Sequence, residues 1–201
     1  MRICITLDDV IRAKTRQFAK ILAKSQGKKE EDMSDVEIST NDLCEVFGMQ
    51  RNEYNTFLYG DYPFEIFAEA PVMEKMLDKK LNLWTLSMEN DEQFEEGVEF
   101  IIANPLEFNT SIGYTCFFLS QIATRIREFY FPKDSTTIWD RCDVLITADP
   151  RLLSCKPEGK VSVKIEAPYN EDNEADFTYE SLTKLIEDED FGKKIIDRCN
   201  A

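Results

Sequence analysis

The stretch that decides the fold is residues 2–9, RICITLDD, close to the N-terminus. A short run rich in β-branched side chains is typical of a buried strand, and the two aspartates that follow it can cap a helix. We therefore predict a strand over residues 2–7 and a helix from about Val10 to Ser25. A strand followed at once by a helix is the usual opening of a parallel α/β sheet.

Apolar segments of strand length recur along the rest of the chain, separated by helical segments. The predicted strands are LNLWTLS (81–87), VEFIIA (98–103), FYF (129–131), CDVLIT (142–147) and VSVKIE (161–166). Helices are predicted over 109–128 and near 178–187 and 190–198, and the charged segment 26–35 is predicted to be a solvated loop. This alternation predicts an α/β fold with a doubly wound, mostly parallel sheet and functional groups at the carboxyl ends of its strands.

The length of the chain limits its domain organisation. At 201 residues, with 43% hydrophobic side chains, the chain can bury one core but is short for two full domains. We expect a single domain over residues 1–201, with residues 15–70 inserted as a small helical cap.

The composition excludes several functional classes. Asp and Glu number 39 against 24 Lys and Arg, so the formal charge of -15 disfavours direct binding to nucleic acid or to anionic membranes. No stretch approaches the ~20 apolar residues of a membrane span, and no leader peptide is predicted. The six cysteines form no CxxC pair and the chain has no histidine, which excludes Cys/His zinc sites and histidine-assisted nucleophiles. We expect reduced thiols and a reducing compartment.

The segment Thr6–Ile11, TLDDVI, carries the first functional motif. With the order of strands and helices, it resembles the haloacid-dehalogenase (HAD) family, in particular its deoxyribonucleotidase-like branch. In that family the first strand ends in Asp-x-Asp and a helical cap follows. Asp8 matches the second aspartate, but Thr6 stands where the family has its nucleophile. A threonine without a nearby base is neither a carboxylate nucleophile nor an anionic magnesium ligand.

Two further motifs of the family hold the phosphate group. The resemblance places a Ser or Thr after the next strand, which is Ser87 or, less well, Thr85 in LNLWTLS. It places a basic residue after a later strand, which is Lys133 in FYFPKDS. In this alignment VEFIIA is an extra strand.

The last motif of the family is an acidic pair that completes a magnesium site. In CDVLITADP this pair falls on Thr147 and Ala148, with Asp149 just beyond it. Only Asp8 and Asp149 remain as possible carboxylate ligands, so we expect no catalytic metal and no cofactor. The closing Pro168–Asn170 segment, PYN, again resembles the deoxyribonucleotidase-like proteins.

The cap segment is richer in aromatic residues than a small cap needs for its own core. These residues either pack the cap on the sheet or are partly exposed for a protein partner, as aromatic side chains often are at interfaces. We also expect the loop 104–111 to contact a partner. The candidate interface residues of the cap are Tyr54, Phe57, Tyr59, Tyr62, Phe64 and Phe67.

Most of the chain also resembles a protein of crAss-like tailed phages, through DYPFEIFAEAPVMEKMLDKKLNLW, IATRIREFYFP and CDVLITADP. With the missing nucleophile, this favours a non-catalytic structural protein of the virion (neck, tail or capsid). Such a protein would be made in the host cytoplasm and would bind other virion proteins or itself. Two alternatives stay open: a phosphohydrolase or nucleotidase with an altered site, and a module that binds a phosphate ligand. The candidate site residues are Thr6, Asp8, Ser87, Lys133 and Asp149.

Overall fold

The computed structural model describes residues 1–29, 36–105 and 110–200. Six parallel strands form one sheet in the order β3-β2-β1-β4-β5-β6. This confirms the predicted α/β, doubly wound and Rossmannoid architecture. The strands are β1 (Arg2–Thr6), β2 (Glu99–Ala103), β3 (Glu128–Tyr130), β4 (Val144–Thr147), β5 (Val161–Ile165) and β6 (Phe177–Tyr179).

The first strand lies in the middle of the sheet. Ile3, Cys4 and Ile5 in β1 are completely buried, as expected of a parallel sheet covered on both faces. β1 pairs with β2 on one side, with Thr6 opposite Ala103, and with β4 on the other. Because all strands run the same way, their carboxyl ends meet along one edge.

Helices connect the strands and cover the sheet. Two π-helical turns (Phe57–Asp61 and Phe64–Ala68) and a 3-10 segment (Ser135–Arg141) accompany the α-helices. None of the helices in the described ranges is long and apolar enough to cross a membrane. The α-helices are α1 (Lys14–Ser25), α2 (Leu43–Val46), α3 (Arg51–Thr56), α4 (Leu77–Glu89), α5 (Thr110–Gln121), α6 (Pro150–Ser154), α7 (Leu182–Ile186) and α8 (Phe191–Cys199).

The helical insertion between β1 and α4 has a hydrophobic cluster of its own. Phe18 of α1 lies at its centre, with ring centroids 5.4 Å from Phe47, 5.5 Å from Tyr54 and 5.4 Å from Phe57. Leu58 and Ile66 are also completely buried in this cluster. This cluster is separate from the main core on the sheet, so the insertion packs as a layer beside the strand ends.

Two predicted strands have a different place in the fold. LNLWTLS is not a strand but part of α4, because Leu77, Leu81, Trp84 and Met88 are buried at helical spacing while Leu83 is 70% exposed. VEFIIA is not an extra strand either: it forms β2, the direct neighbour of β1. The second family motif must therefore follow β2.

Other boundaries also moved. Helix α1 begins at Lys14 rather than Val10, because Asp9 adopts a left-handed backbone (φ 57°) and residues 9–11 form a turn. The short edge strand β6 was not predicted. The predicted loops at 26–35 and 104–111 fall partly outside the described residues, at 30–35 and 106–109.

Candidate active site

A cavity of about 510 Å³ opens over the carboxyl ends of the central strands, between the sheet and the helical insertion. Four of the five predicted site residues line it: Thr6, Asp8, Lys133 and Asp149. Ser87, the fifth, is not among the residues lining the cavity, because it lies on the exposed face of helix α4. From the insertion, the lining residues are Asn41, Asp42, Leu43, Arg51, Tyr54 and Tyr59.

Asn104 takes the place predicted for Ser87. It directly follows β2 and is almost completely buried. Its amide nitrogen donates to Asp8 Oδ2 (3.2 Å), and its amide oxygen accepts from the backbone N–H of Asp8 (3.2 Å). In the sequence, Asn104 is the polar residue that directly follows VEFIIA. It was missed because LNLWTLS was taken as the strand that precedes this motif.

Asp8 lies in a dense ion-pair network. Arg12 donates to Asp8 Oδ1 from Nε (2.8 Å) and Nη2 (2.6 Å), and Lys14 Nζ lies 3.2 Å from Oδ2. Burial raises the pKa of Asp8, but the charges of Arg12 and Lys14 outweigh it and lower that pKa to about 2. Asp8 is therefore a permanent carboxylate at neutral pH and a poor proton donor.

Arg12 joins this network to the helical insertion. Its side chain is completely buried, and Nη1 donates to the Phe67 carbonyl (2.9 Å) and to Thr115 Oγ1 (3.1 Å). The guanidinium also lies 5.3 Å from the ring centroid of Phe67 and 5.5 Å from that of Phe118. Because the segment after β1, the insertion and α5 all contribute partners, Arg12 links these three parts of the fold.

Asp9 has a different environment from Asp8. It accepts hydrogen bonds from the Thr15 backbone N–H (3.0 Å), the Thr15 hydroxyl (2.5 Å) and the Tyr169 hydroxyl (2.9 Å). Burial raises the pKa of Asp9, and the hydrogen bonds from Thr15 offset this only in part. Its left-handed backbone is uncommon for a non-glycine residue, and such strain is often found at functional sites. Asp9 thus differs from Asp8 in that its partners are neutral donors and in that its pKa is raised, mainly by burial, rather than lowered.

Neutral hydroxyl groups stand at the ends of β1 and β4. Thr6 Oγ1 lies 3.0 Å from Thr147 Oγ1, which accepts the backbone N–H of Asp149 (3.0 Å). The carboxylate of Asp149 caps helix α6 by accepting the Arg151 N–H (2.9 Å), and Asn41 of the insertion donates to it (3.2 Å). Thr6 therefore lies at the strand end where the resemblance places the nucleophile, with no carboxylate of its own.

The pocket is close to neutral although the whole chain is strongly acidic. Arg51 is paired with Asp42, and Arg151 with Asp149 (3.4 Å). Lys133, exposed just after β3, forms no hydrogen bond or ion pair with any described residue. The described part of the lining carries four cations and four carboxylates, namely Lys14, Arg51, Lys133 and Arg151 against Asp8, Asp9, Asp42 and Asp149.

The aromatic residues predicted for an interface divide into two groups. Tyr54, Phe57 and Phe67 are buried in or beside the core of the insertion, so they cannot form an open contact surface. Tyr59 and Tyr62 are half-buried, and Phe64 is 40% exposed. Tyr54 and Tyr59 face the cavity, so part of the aromatic enrichment serves the pocket.

The residues present do not suit a divalent metal. Within the described residues, no group of three His, Cys, Asp or Glu side chains is placed to hold one. Both oxygens of Asp8 are engaged by Arg12, Lys14 and Asn104, and Thr6 offers only a neutral oxygen. Mg²⁺ prefers several hard oxygen ligands in octahedral geometry, which this arrangement does not supply.

No protein-family model matches the chain, and no curated protein matches it. Solved structures do. A Burkholderia xenovorans protein assigned to the haloacid dehalogenase-like hydrolases matches with a TM-score of 0.56 at 9% identity, over 96% of this chain and 97% of that one. The HAD-hydrolase YfnB of Bacillus subtilis, solved with bound magnesium, matches with a TM-score of 0.51 at 12% identity, over 92% and 96% of the two chains.

These matches show that the chain has the HAD-like fold. They contradict the prediction of a non-catalytic virion component, because the matched structures are hydrolases. The prediction that the chain is not an enzyme is contradicted on the same ground. Both predictions rested mainly on the absence of an aspartate at Thr6. They gave too little weight to the other polar residues that the fold places around Thr6.

Proposed function

We propose that this chain is a HAD-type phosphohydrolase with an altered site, which hydrolyses phosphate monoesters in the cavity over the strand ends. The observation that carries the proposal is the convergence of Thr6, Asp8, Lys133 and Asp149, which come from three separate parts of the sequence, on one pocket. Ligands of open α/β sheets bind at this edge. Lys133 supplies a cation that no described carboxylate neutralises.

The nucleophile in this proposal is water. Thr6 cannot form an aspartyl phosphate, so the oxygen of a water molecule attacks phosphorus directly and the ester P–O bond breaks. Asp9 accepts the proton of the attacking water and later releases it to solvent, while the leaving alkoxide takes a proton from solvent. Asp9 is preferred because Asp8 is held by two cations and Asp149 caps a helix.

We assign residues 15–70 to a cap in a single domain spanning 1–201. Asn41, Tyr54 and Tyr59 line the cavity from this segment and would contact the part of the substrate beyond its phosphate. The likeness to crAss-like phage proteins, the lack of a nucleic-acid or membrane partner and self-association all stay predictions.

A second candidate function is phosphate binding without turnover. The ion pairing of Asp8 favours it, because a carboxylate held by two cations is a poor proton donor for the leaving group. The same pocket and the same Lys133 would then serve a binding module.

The test is a phosphatase assay on p-nitrophenyl phosphate and deoxynucleoside monophosphates. Asp9→Asn is expected to lower kcat by about 10²–10⁴-fold, the usual contribution of a positioned acid or base. Asp172→Asn makes the same change at an exposed aspartate away from the pocket and should leave kcat unchanged. Thermal unfolding of each variant controls for folding. Absence of turnover in a chain that still binds phosphate would favour the binding module, and equal rates for natural chain and Asp9→Asn would reject the role of Asp9.

A further inference from the structure

We infer that the pocket binds the phosphate group without a divalent metal, because side-chain cations fixed in the protein fill the place that a metal would take. The inference rests on the proposed function, since it concerns the same pocket and the same substrate group. It adds that metal chelation leaves phosphate binding intact.

The first step of the argument is the coordination of Asp8. Arg12 occupies Oδ1 with two short contacts (2.8 and 2.6 Å), while Lys14 and Asn104 each approach Oδ2 to 3.2 Å. A dication that bound either oxygen would have to displace these donors or lie beside two positive charges. Like charges at such separations repel strongly in a partly buried site.

The second step is that Arg12 cannot withdraw. Its side chain is completely buried, and its remaining donors hold the Phe67 carbonyl and Thr115. A guanidinium stays protonated at any working pH, so the charge is permanent. Moving the Arg12 guanidinium away from Asp8 would leave a buried cation or a buried carboxylate unpaired, and this would destabilise the folded state.

The third step is the charge that remains for a ligand. With Arg12 behind Asp8, the described residues of the pocket carry five cations and four carboxylates, and Asp9 is the carboxylate bound by neutral donors. Among the described residues of the pocket, Lys133 has no acidic partner. An incoming dication therefore meets excess positive charge, whereas a phosphate dianion meets an unpaired ammonium group.

The experiment is calorimetric titration of inorganic phosphate into the full chain, once in EDTA and once in excess Mg²⁺. The dissociation constant is expected to agree within about twofold between the two conditions, and Mg²⁺ alone should give no saturable heat. Lys133→Met should weaken phosphate binding at least about tenfold, the usual effect of losing one charged hydrogen bond. Lys75→Met, which changes the net charge equally at an exposed lysine outside the pocket, should not.

Each result bears on the inference in a definite way. Phosphate binding that requires Mg²⁺ overturns the metal-free reading but leaves the proposed phosphohydrolase standing. Equal weakening by Lys133→Met and Lys75→Met overturns the assignment of the ligand to this pocket. No phosphate binding in either condition overturns the inference, and the separate turnover assay then decides whether the proposed function falls with it.

Discussion

Replacement of Arg12 by methionine tests the central ion pair, because methionine keeps much of the length of the side chain without its charge. Arg12 is fully buried and the Asp8 side chain is 19% exposed, so the mutation leaves a mostly buried carboxylate with Lys14 as its remaining cation. Breaking a buried pair in this way costs about 3–5 kcal/mol. We expect a loss of that size in the free energy of unfolding at neutral pH.

The pH dependence gives an independent magnitude. The pKa of Asp8 falls from 3.8 to about 2 on folding, so the ionised carboxylate stabilises the fold by roughly 2 kcal/mol at neutral pH. Because the folded-state pKa is the lower one, this stability is fully present above pH 3.8 and is lost as the pH falls towards 2. In Arg12→Met the folded-state pKa of Asp8 rises, so this component should shrink.

The assay is urea unfolding followed by tryptophan fluorescence over a pH series. Arg51→Met is the matched control, since its guanidinium pairs with Asp42 at an exposed site, where such pairs contribute about 0–1 kcal/mol. A double-mutant cycle with Asp8→Asn separates the ion pair from lost packing. Equal losses for Arg12→Met and Arg51→Met, or no coupling in the cycle, would refute the reasoning.

Three further predictions concern the nucleophile position, the proton-transfer group and the cap core. Thr6→Asp is expected to form a covalent phosphoenzyme with p-nitrophenyl phosphate, seen as added mass after acid quenching; an unmodified chain would contradict the place assigned to Thr6. Tyr169→Phe removes a hydrogen bond that lowers the pKa of Asp9, so the acid limb of the pH–rate profile should move to higher pH, and an unmoved limb would count against Asp9. Phe18→Ala should cost about 3–5 kcal/mol in urea unfolding, because it empties the centre of the cap core, and a loss below about 1 kcal/mol would show that this core is loosely packed.

The sequence was sufficient to predict the class of the fold and most of its central strands. RICITL, CDVLIT and VSVKIE are apolar runs of strand length, and each forms a strand. LNLWTLS was assigned wrongly because such a short apolar run fits both the two-residue period of a strand and the 3.6-residue period of a helix. Burial on one face of α4 decides for the helix, and this depends on tertiary contacts that a single sequence does not display.

The site was predicted in part, for a related reason. Thr6, Asp8 and Asp149 were found because each directly follows or ends an apolar strand. Arg12 and Lys14 were missed because they were assigned to a regular helix beginning at Val10, in which an aspartate four residues before an arginine is a common surface pair. The turn over residues 9–11 places Arg12 against Asp8 and Phe67, and only the folded chain shows that geometry.

The Arg12 guanidinium beside Asp8 would also make it difficult to engineer a magnesium site into this fold. Restoring an aspartate at Thr6 alone would add an anion while leaving two cations in the coordination sphere. Removing Arg12 first would loosen the junction between the insertion and the sheet, since Phe67 and Thr115 would lose their donor. The intermediate variants are therefore expected to be less stable than either end point, so the substitutions must be introduced together.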